Sequence, residues 1–202
     1  MTSLHCPICG KNNPYKVRYQ EKFNTDDLEF VARKTPDHMH FRIVECEDCR
    51  MIYSNPIIPE SEIIQLYRKS RFIAEPQLNN MLNDYVDQFS RVQHLANSGR
   101  LLDIGCANGF FMQAAKEKFG YEVYGIEPGA EACQQASEDI RENIINDELK
   151  SGLFSENYFN VITFFQVFDH IIKPNEFLQQ VNLSDASIRM SVENMVCVAI
   201  KE

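Results

Sequence analysis

The sequence predicts an α/β protein in which a parallel sheet with helices on both faces follows a small zinc-ribbon β domain and a helical linker. Three observations predict this architecture: two early Cys-x-x-Cys pairs, apolar residues at helical spacing in the middle, and alternating strand and helix patterns after residue 99. We therefore divide the chain into a zinc ribbon (1–59), a helical linker or lid (60–98) and a parallel-sheet domain (99–202).

The composition of the 202-residue chain is that of an ordinary folded protein, with 44% hydrophobic residues and a formal net charge of -9. This negative charge disfavours nucleic acid as a partner because it repels phosphate. No apolar stretch reaches the roughly 18 residues of a membrane span, and the N-terminus lacks the pattern of a signal peptide. These features predict a cytoplasmic protein, away from the membrane, whose seven cysteines are reduced or bound to metal.

Four cysteines of the first domain form two pairs, Cys6 with Cys9 and Cys46 with Cys49. Two residues between thiolates let a tight turn aim both sulfurs at one ion, and four thiolates suit tetrahedral Zn²⁺. Alternating polar and apolar residues in YKVRYQEKF and HFRIVEC predict strands between the pairs. Since so small a domain lacks apolar area, and zinc can contribute roughly 10 to 16 kcal/mol of apparent binding energy to folding, we expect a structural role for the metal.

Two alternatives for these cysteines are metal-free thiols and redox-active pairs, although redox chemistry does not need two copies at hairpin spacing. His5, His38 and His40 could each replace a thiolate. Because four cysteines already complete the site, we expect the histidines at the surface or in packing.

The linker carries apolar side chains at three- and four-residue steps between residues 61 and 97, which predicts two helices. Pro76 separates them, and Gly99 follows the second helix as a glycine suited to a helix C-terminus. We expect their apolar faces to pack on the next domain, with a second role as a partial lid over a ligand.

The stretch RLLDIGCANGFF predicts a buried strand, a turn that contains Gly105 and Gly109, and then a helix. In parallel sheets ligands bind beyond the carboxyl ends of the strands, where glycine lets the backbone come close. Glu127 ends the next strand, 22 residues after Gly105, where an acid can accept hydrogen bonds from both ribose hydroxyls. The turn does not have the spacing of a pyrophosphate loop. It is interpreted as part of a nucleoside site, with a purely structural strand, turn and helix as the alternative.

The strand and helix alternation continues through YEVYGIEPG, AEACQQASEDI, NIIND, NVITFFQV and PNEFLQQV, the last of which begins a helix at Pro174. Beyond residue 182 the sequence offers at most one further strand, MVCVAI. The predicted sheet is therefore incomplete at the C-terminus and exposes an apolar edge. Either a second copy or another partner chain covers that edge, or the chain is a truncated or frameshifted product.

LLDIGCANGFF and VYGIEP resemble the first two motifs of the class I methyltransferases, which use S-adenosylmethionine and have a Rossmann-like fold. The resemblance implies that Asp103 and the backbone from Gly105 to Gly109 hold the methionine end of this cofactor, with Cys106 and Ala107 inside that turn. It also implies that Glu127 holds the ribose, that Asp147 contacts adenine and that Gln166 lies near the cofactor. Ala107 stands where the family has its middle glycine.

The resemblance covers residues 6 to about 182, because CPICG, RIVECEDC and YSNP are similar to family members with an N-terminal zinc ribbon, many of them linked to sugars or cell-envelope polysaccharides. It implies methyl transfer to a small-molecule or saccharide acceptor. A base is needed only if the acceptor must lose a proton, and His170 and Asp169 are the candidates. Backbone hydrogen bonding by His170 and helix capping by Asp169 are the structural alternatives.

An inactive chain that binds S-adenosylmethionine and zinc without transferring a methyl group is the main functional alternative. An adaptor for protein or RNA is a third possibility, which the acidic composition disfavours in the case of RNA.

Overall fold

The structure is a computed structural model that describes residues 1–12, 14–22, 40–69, 75–155, 157–181, 186–191 and 196–201. These residues form a three-stranded sheet of order β1-β2-β3 and a six-stranded sheet of order β6-β5-β4-β7-β9-β8. The two sheets belong to the N-terminal and C-terminal parts of the chain, and the helical linker lies between them in sequence.

The N-terminal sheet is antiparallel and consists of β1 (Tyr15–Tyr19), β2 (Ile43–Cys46) and β3 (Ile52–Ser54). The strands predicted between the cysteine pairs are confirmed in the described residues, whereas His38 lies outside them. Buried Glu45 of the central strand forms ion pairs with Arg18 and Arg50. The Nε atom of Arg50 is 2.6 Å from Oε1 of Glu45. These two cations compensate the desolvation of the carboxylate.

The linker contains the two predicted helices, α1 (Glu60–Arg68) and α2 (Glu75–Ser90). Pro76 lies in the first turn of α2, where the missing N–H of proline is not needed by the helix. The predicted extension of this helix through Leu95 is wrong, because α2 ends at Ser90 and residues 93–95 form a separate 3₁₀ turn.

The C-terminal sheet begins with parallel strands separated by helices, in agreement with the predicted alternation. The strands are β4 (Arg100–Ile104), β5 (Glu122–Ile126), β6 (Ile144–Ile145) and β7 (Val161–Phe165). The helices are α3 (Phe110–Phe119), α4 (Ala130–Gln134), α5 (Glu138–Arg141) and α6 (Pro174–Gln180). The segment AEACQQASEDI thus forms two short helices rather than one, since Ser137 between them is extended.

Both faces of this sheet are covered, which explains why its strands are continuously apolar. On one face Leu101 packs with Phe89 of α2 and Phe111 of α3. On the other face Leu102 packs with Phe164 and with Phe177 of α6. The predicted parallel sheet with helices on both faces is therefore confirmed.

Beyond α6 the chain forms an antiparallel hairpin of β8 (Ala186–Ser191) and β9 (Val196–Lys201). The prediction of at most one strand here is wrong, because ASIRMS also alternates apolar and polar residues with the period of a strand. Since β9 pairs with β7, the edge expected to be open at β7 is covered by the chain itself and β8 becomes the outermost strand.

Candidate functional site

The glycine turn connects the carboxyl end of β4 to α3 and is anchored on the neighbouring strand. The N–H groups of Gly105 and Cys106 donate to the carbonyl oxygen of Ile126 at 2.8 and 3.2 Å. Gly105 has a φ of 73°, and a Cβ atom there would lie 2.4 Å from Cγ2 of Val167. Ala107, at the family's middle glycine position, has a φ of 53° and so keeps the left-handed conformation.

Glu127 follows β5 and fixes this turn from the side. One carboxylate oxygen accepts a hydrogen bond from the N–H of Ala107 at 3.0 Å, and the other accepts one from the N–H of Gly129 at 2.6 Å. Burial raises the pKa of Glu127, and these two N–H donors oppose that shift. Because a carboxylate has about four acceptor positions, further donors such as ribose hydroxyls can still bind.

Asp103 is buried at the end of β4, with 3% of its surface exposed. Its Oδ1 atom accepts a hydrogen bond of 2.7 Å from the hydroxyl of Thr163 on β7. The pKa of Asp103 is raised to about 7, mainly by burial; the Thr163 hydrogen bond opposes this shift, and the Glu127 carboxylate adds to it. Sequence reasoning missed Thr163, for which the only signal was a hydroxyl side chain within the apolar strand VITFF.

The turn also contains a buried polar atom without a partner. The side-chain Oδ1 atom of Asn108 is buried and has no hydrogen bond within the part of the chain that the structure describes. An unsatisfied acceptor beside a glycine cradle suits a ligand that brings N–H or O–H donors. The residues of the turn therefore fit the amino group and hydroxyls of S-adenosylmethionine.

Asp147 and Gln166, expected near the same ligand, follow β6 and β7. The Asp147 carboxylate forms ion pairs with Lys150 and, at 3.4 Å, with Arg68 of α1. Lys150 is the main cause of the lowered pKa of Asp147. Gln166 is exposed and has a φ of 51°, a strained conformation of the kind that clusters at functional sites.

His170 lies in the 3₁₀ turn 168–170 after β7 and has contacts at both ring nitrogens. Its Nδ1 atom is 2.7 Å from the hydroxyl of Tyr67 on α1, and its Nε2 atom is 3.5 Å from the Asp169 carboxylate. The side chains of His170 and Asp169 are each about half exposed. The sequence predicts Tyr67 as an apolar position of a helix but does not predict its contact with His170, because the two residues are 103 positions apart.

The four cysteines form one cluster in which their Sγ atoms all lie within 4.8 Å of one another. Cys6 and Cys49 are 3.4 Å apart, and Cys9 and Cys46 are 3.8 Å apart. Four sulfurs bound to one zinc ion at about 2.3 Å would be separated by about 3.8 Å. The cluster could therefore hold a metal ion, and neither His5 nor His40 belongs to it.

The two halves of the cluster have the same backbone turn. In the first, the N–H of Gly10 donates to the carbonyl of Cys6 at 2.9 Å, and in the second the N–H of Arg50 donates to the carbonyl of Cys46 at 3.0 Å. Gly10 and Arg50 have φ values of 69° and 66°. The repeated turn presents both thiols of each pair to the same point, as a closed structural metal site requires.

The ribbon contacts the C-terminal part of the chain at the start of α6. The side-chain amide of Asn175 donates to the carbonyl oxygen of Ile8 at 3.0 Å. A cavity of about 470 Å³ lies at this junction, with Ile57, Ile58 and Ile172 among its apolar lining and Lys173 among its polar lining. Its volume is in the range that small-molecule ligands occupy.

A parallel sheet with a glycine turn beyond its first strand defines a Rossmann-like α/β protein. Residues 74–184, more than half of the chain, match the family described as "Methyltransferase domain". The chain therefore belongs to this family and is a class I S-adenosylmethionine-dependent methyltransferase by family, with a cysteine cluster that fits a zinc ribbon.

Solved structures similar to this chain include magnesium protoporphyrin IX methyltransferase from Synechocystis PCC 6803 with bound SAM, which is 12% identical with a TM-score of 0.39, over 61% of this chain and 79% of that one. A SAM-dependent methyltransferase from Aquifex aeolicus is 12% identical with a TM-score of 0.37, over 63% and 97% of the two chains. A TehB-like SAM-dependent methyltransferase from Corynebacterium glutamicum is 13% identical with a TM-score of 0.33, and the match covers 61% of this chain and 100% of that one.

No curated protein matches the chain. Within the described ranges, no helix combines the length and the apolar character needed to cross a membrane.

Two glycines with nearly equal φ provide a matched test of the turn. Gly105 has its φ of +73° beside Val167, whereas Gly120 has a φ of +74° and nothing within 4 Å of an added Cβ atom. Each alanine substitution should cost about 1 kcal/mol of stability from the left-handed backbone. Only Gly105→Ala should also weaken binding of S-adenosylhomocysteine, by about tenfold or more, because Val167 and the turn must shift.

Calorimetric titration together with denaturant unfolding separates these effects. Equal S-adenosylhomocysteine affinities for the two variants would contradict a role of the turn in binding.

Proposed function

We propose that the chain transfers a methyl group from S-adenosylmethionine to a hydroxyl group of a small molecule or saccharide. The observation that carries this proposal is that the glycine turn and His170 both follow the carboxyl ends of neighbouring parallel strands, β4 and β7. Groups that follow such strands meet at one edge of the sheet, where α/β proteins bind their ligands. A cofactor site and a proton acceptor thus share one edge.

The cofactor would be held by the buried carboxylate of Asp103, the backbone from Gly105 to Gly109, and Glu127. When bound, S-adenosylmethionine supplies an activated methyl group on a sulfonium leaving group. The protein then has mainly to align the acceptor atom with that methyl carbon, and positioning of this kind can contribute roughly 7 to 11 kcal/mol.

His170 would accept the proton of the acceptor hydroxyl. Burial raises the pKa of Tyr67, so its phenol keeps its proton, and the hydroxyl lies within hydrogen-bond distance, 2.7 Å, of Nδ1 of His170. An acceptor hydroxyl therefore reaches that nitrogen only after Tyr67 turns away. Asp169, 3.5 Å from Nε2, would stabilise the imidazolium that forms.

A second candidate function, binding of S-adenosylmethionine without transfer, is favoured by the contacts that His170 already has at both ring nitrogens. The ion pair between Arg68 and Asp147 occupies the carboxylate that the family resemblance assigns to adenine. Its exposed position makes it weak, since surface ion pairs contribute about 0 to 1 kcal/mol, so a ligand can displace it.

Substitution of His170 separates the two functions. We expect His170→Gln to lower kcat by about 10²-fold or more while the affinity for S-adenosylhomocysteine stays the same, because general bases contribute about 10² to 10⁴ in rate. A labelled-cofactor assay with a panel of saccharides and hydroxylated small molecules measures transfer, and His94→Gln is the control on an exposed histidine.

An unchanged kcat in His170→Gln would rule out this residue as the base. Binding of S-adenosylhomocysteine by the unmodified chain, with no product from any acceptor, would instead favour the non-transferring function.

We also propose that the four-cysteine cluster binds one structural zinc ion. The equal turns of the two halves and the spacing of the sulfurs support zinc. The ion would join Cys6 and Cys9 to Cys46 and Cys49 and so connect the N-terminal segment to β2 and the turn after it. Because the four thiolates leave no open coordination position, the metal has no place in the transfer step.

Elemental analysis of the purified chain should find one zinc per molecule. Cys46→Ser should lose the metal and make the ribbon sensitive to protease, because zinc binding contributes roughly 10 to 16 kcal/mol to folding of such domains. Cys133→Ser, which changes a cysteine outside the cluster, is the control and should keep the metal. A metal-free chain with a protease-resistant ribbon would contradict the zinc proposal.

A further inference from the structure

We propose that Thr163 is a positioning residue that fixes the orientation of the Asp103 carboxylate and favours its ionised form, and thereby sets the pH range in which the chain binds S-adenosyl ligands. This inference rests on the proposed role of Asp103 in holding the methionine end of the cofactor. It adds a residue to the site that lies inside the sheet and touches no ligand itself.

The contact between the two residues follows from strand register. Asp103 on β4 and Thr163 on β7 are direct partners in the parallel pairing of these strands. The Thr163 hydroxyl is 2.7 Å from Oδ1 of Asp103 but 3.4 Å from the carbonyl oxygen of Leu102. Because the contact with the carboxylate is the shorter one, the single hydroxyl proton is donated to Asp103. A short hydrogen bond to a charged acceptor is also the stronger type.

The chemistry of position 163 is specific. Thr163 has 0% of its surface exposed and lies among the apolar residues of VITFF. A valine would have the same shape, and burying a hydroxyl instead is unfavourable unless it is hydrogen-bonded. Among the described residues, the Thr163 hydroxyl donates its short hydrogen bond to the Asp103 carboxylate.

The buried carboxylate does not stabilise the fold. Burial is the main cause that raises the pKa of Asp103 from 3.8 to about 7. A group with a raised folded-state pKa binds a proton more tightly in the folded chain, so folding stability falls as the pH rises from the unfolded value towards 7. The cost of ionising Asp103 is therefore explained better by ligand binding than by stability.

Three other titratable groups act on Asp103 from the surrounding elements: Glu127 after β5, Cys106 in the turn and Tyr85 on α2. Burial raises the pKa values of Cys106 and Tyr85 well above their ordinary values, so both groups are neutral near pH 7. Glu127 also has a pKa raised by burial and is the one other group that must be tested separately.

A cationic amino group binds a carboxylate more tightly than a carboxylic acid, so affinity should fall as the pH falls through the range where Asp103 takes up its proton. Thr163→Val removes a hydrogen bond that favours the ionised form, and should move this loss to higher pH. Thr163→Ser keeps the hydroxyl and should behave as the unmodified chain does.

The experiment is calorimetric titration of the full chain with S-adenosylhomocysteine from about pH 6 to 8.5, in the unmodified protein and both Thr163 variants. If Thr163→Val raises the pKa of Asp103 by about one unit, we expect about fivefold weaker binding near pH 7, a loss that approaches about tenfold near pH 6, and little difference near pH 8.5. The amino group of the ligand titrates identically in every variant, so comparison at each pH cancels it.

A second readout does not need the ligand. The ¹³C signal of the Asp103 carboxyl group, assigned with Asp103→Asn, should titrate at higher pH in Thr163→Val than in Thr163→Ser or the unmodified chain. Equal weakening at every pH with an unchanged ¹³C titration would overturn the proposal and leave Thr163 as a packing residue.

Glu127→Gln identifies the titrating group. If a pH midpoint of binding is still present in this variant, moved to lower pH because the Glu127 charge no longer raises the pKa of Asp103, Asp103 carries the titration. Loss of any midpoint would assign the titration to Glu127 and overturn the proposal. Absence of binding by the unmodified chain at every pH would overturn the cofactor assignment instead, and the ¹³C titration would still test the link between Thr163 and Asp103.

Discussion

The hydrogen bonds of the Glu127 carboxylate fix the backbone on which the candidate site depends. Its two oxygens accept the N–H groups of Ala107 and Gly129, and so join the turn after β4 to the turn after β5. Burying a carboxylate is unfavourable, but charge-assisted hydrogen bonds from two backbone donors offset that penalty. Ala107 has a left-handed backbone conformation, which is unfavourable for a residue with a Cβ atom. Loss of the Glu127 carboxylate would remove the hydrogen bond that holds Ala107 in this conformation.

The linker adds the second constraint, since the end of α1 contacts residues that follow two different strands. Tyr67 contacts His170 after β7, and Arg68 forms ion pairs with Asp147 and Glu148 after β6. These contacts are polar and exposed, unlike the aromatic packing of α2 on α3. The two helices therefore differ: α2 belongs to the core, whereas these contacts at the end of α1 are polar. The role of the linker as a partial lid stays a prediction.

Features that depend on residues close in sequence were predictable. The cysteine pairs, the glycine turn and Glu127 each have a local spacing that chemistry requires, and the structure places the turn and Glu127 in direct contact. Thr163 and Tyr67 could not be found in this way, because their roles depend on strand register and on how the linker packs. The strand β8 was not predicted for a different reason, since the six residues of ASIRMS alternate apolar and polar over too short a stretch to predict a strand on their own.

The most direct test of the central claim, that a turn fixed by Glu127 binds the nucleoside part of the cofactor, is calorimetric titration of the full chain with S-adenosylhomocysteine before and after Glu127→Gln. We expect one site with micromolar affinity, on the order of 8 kcal/mol of binding free energy, and at least about tenfold weaker binding in the variant. Equal affinity of the two proteins, or no heat from either at high ligand concentration, would contradict it.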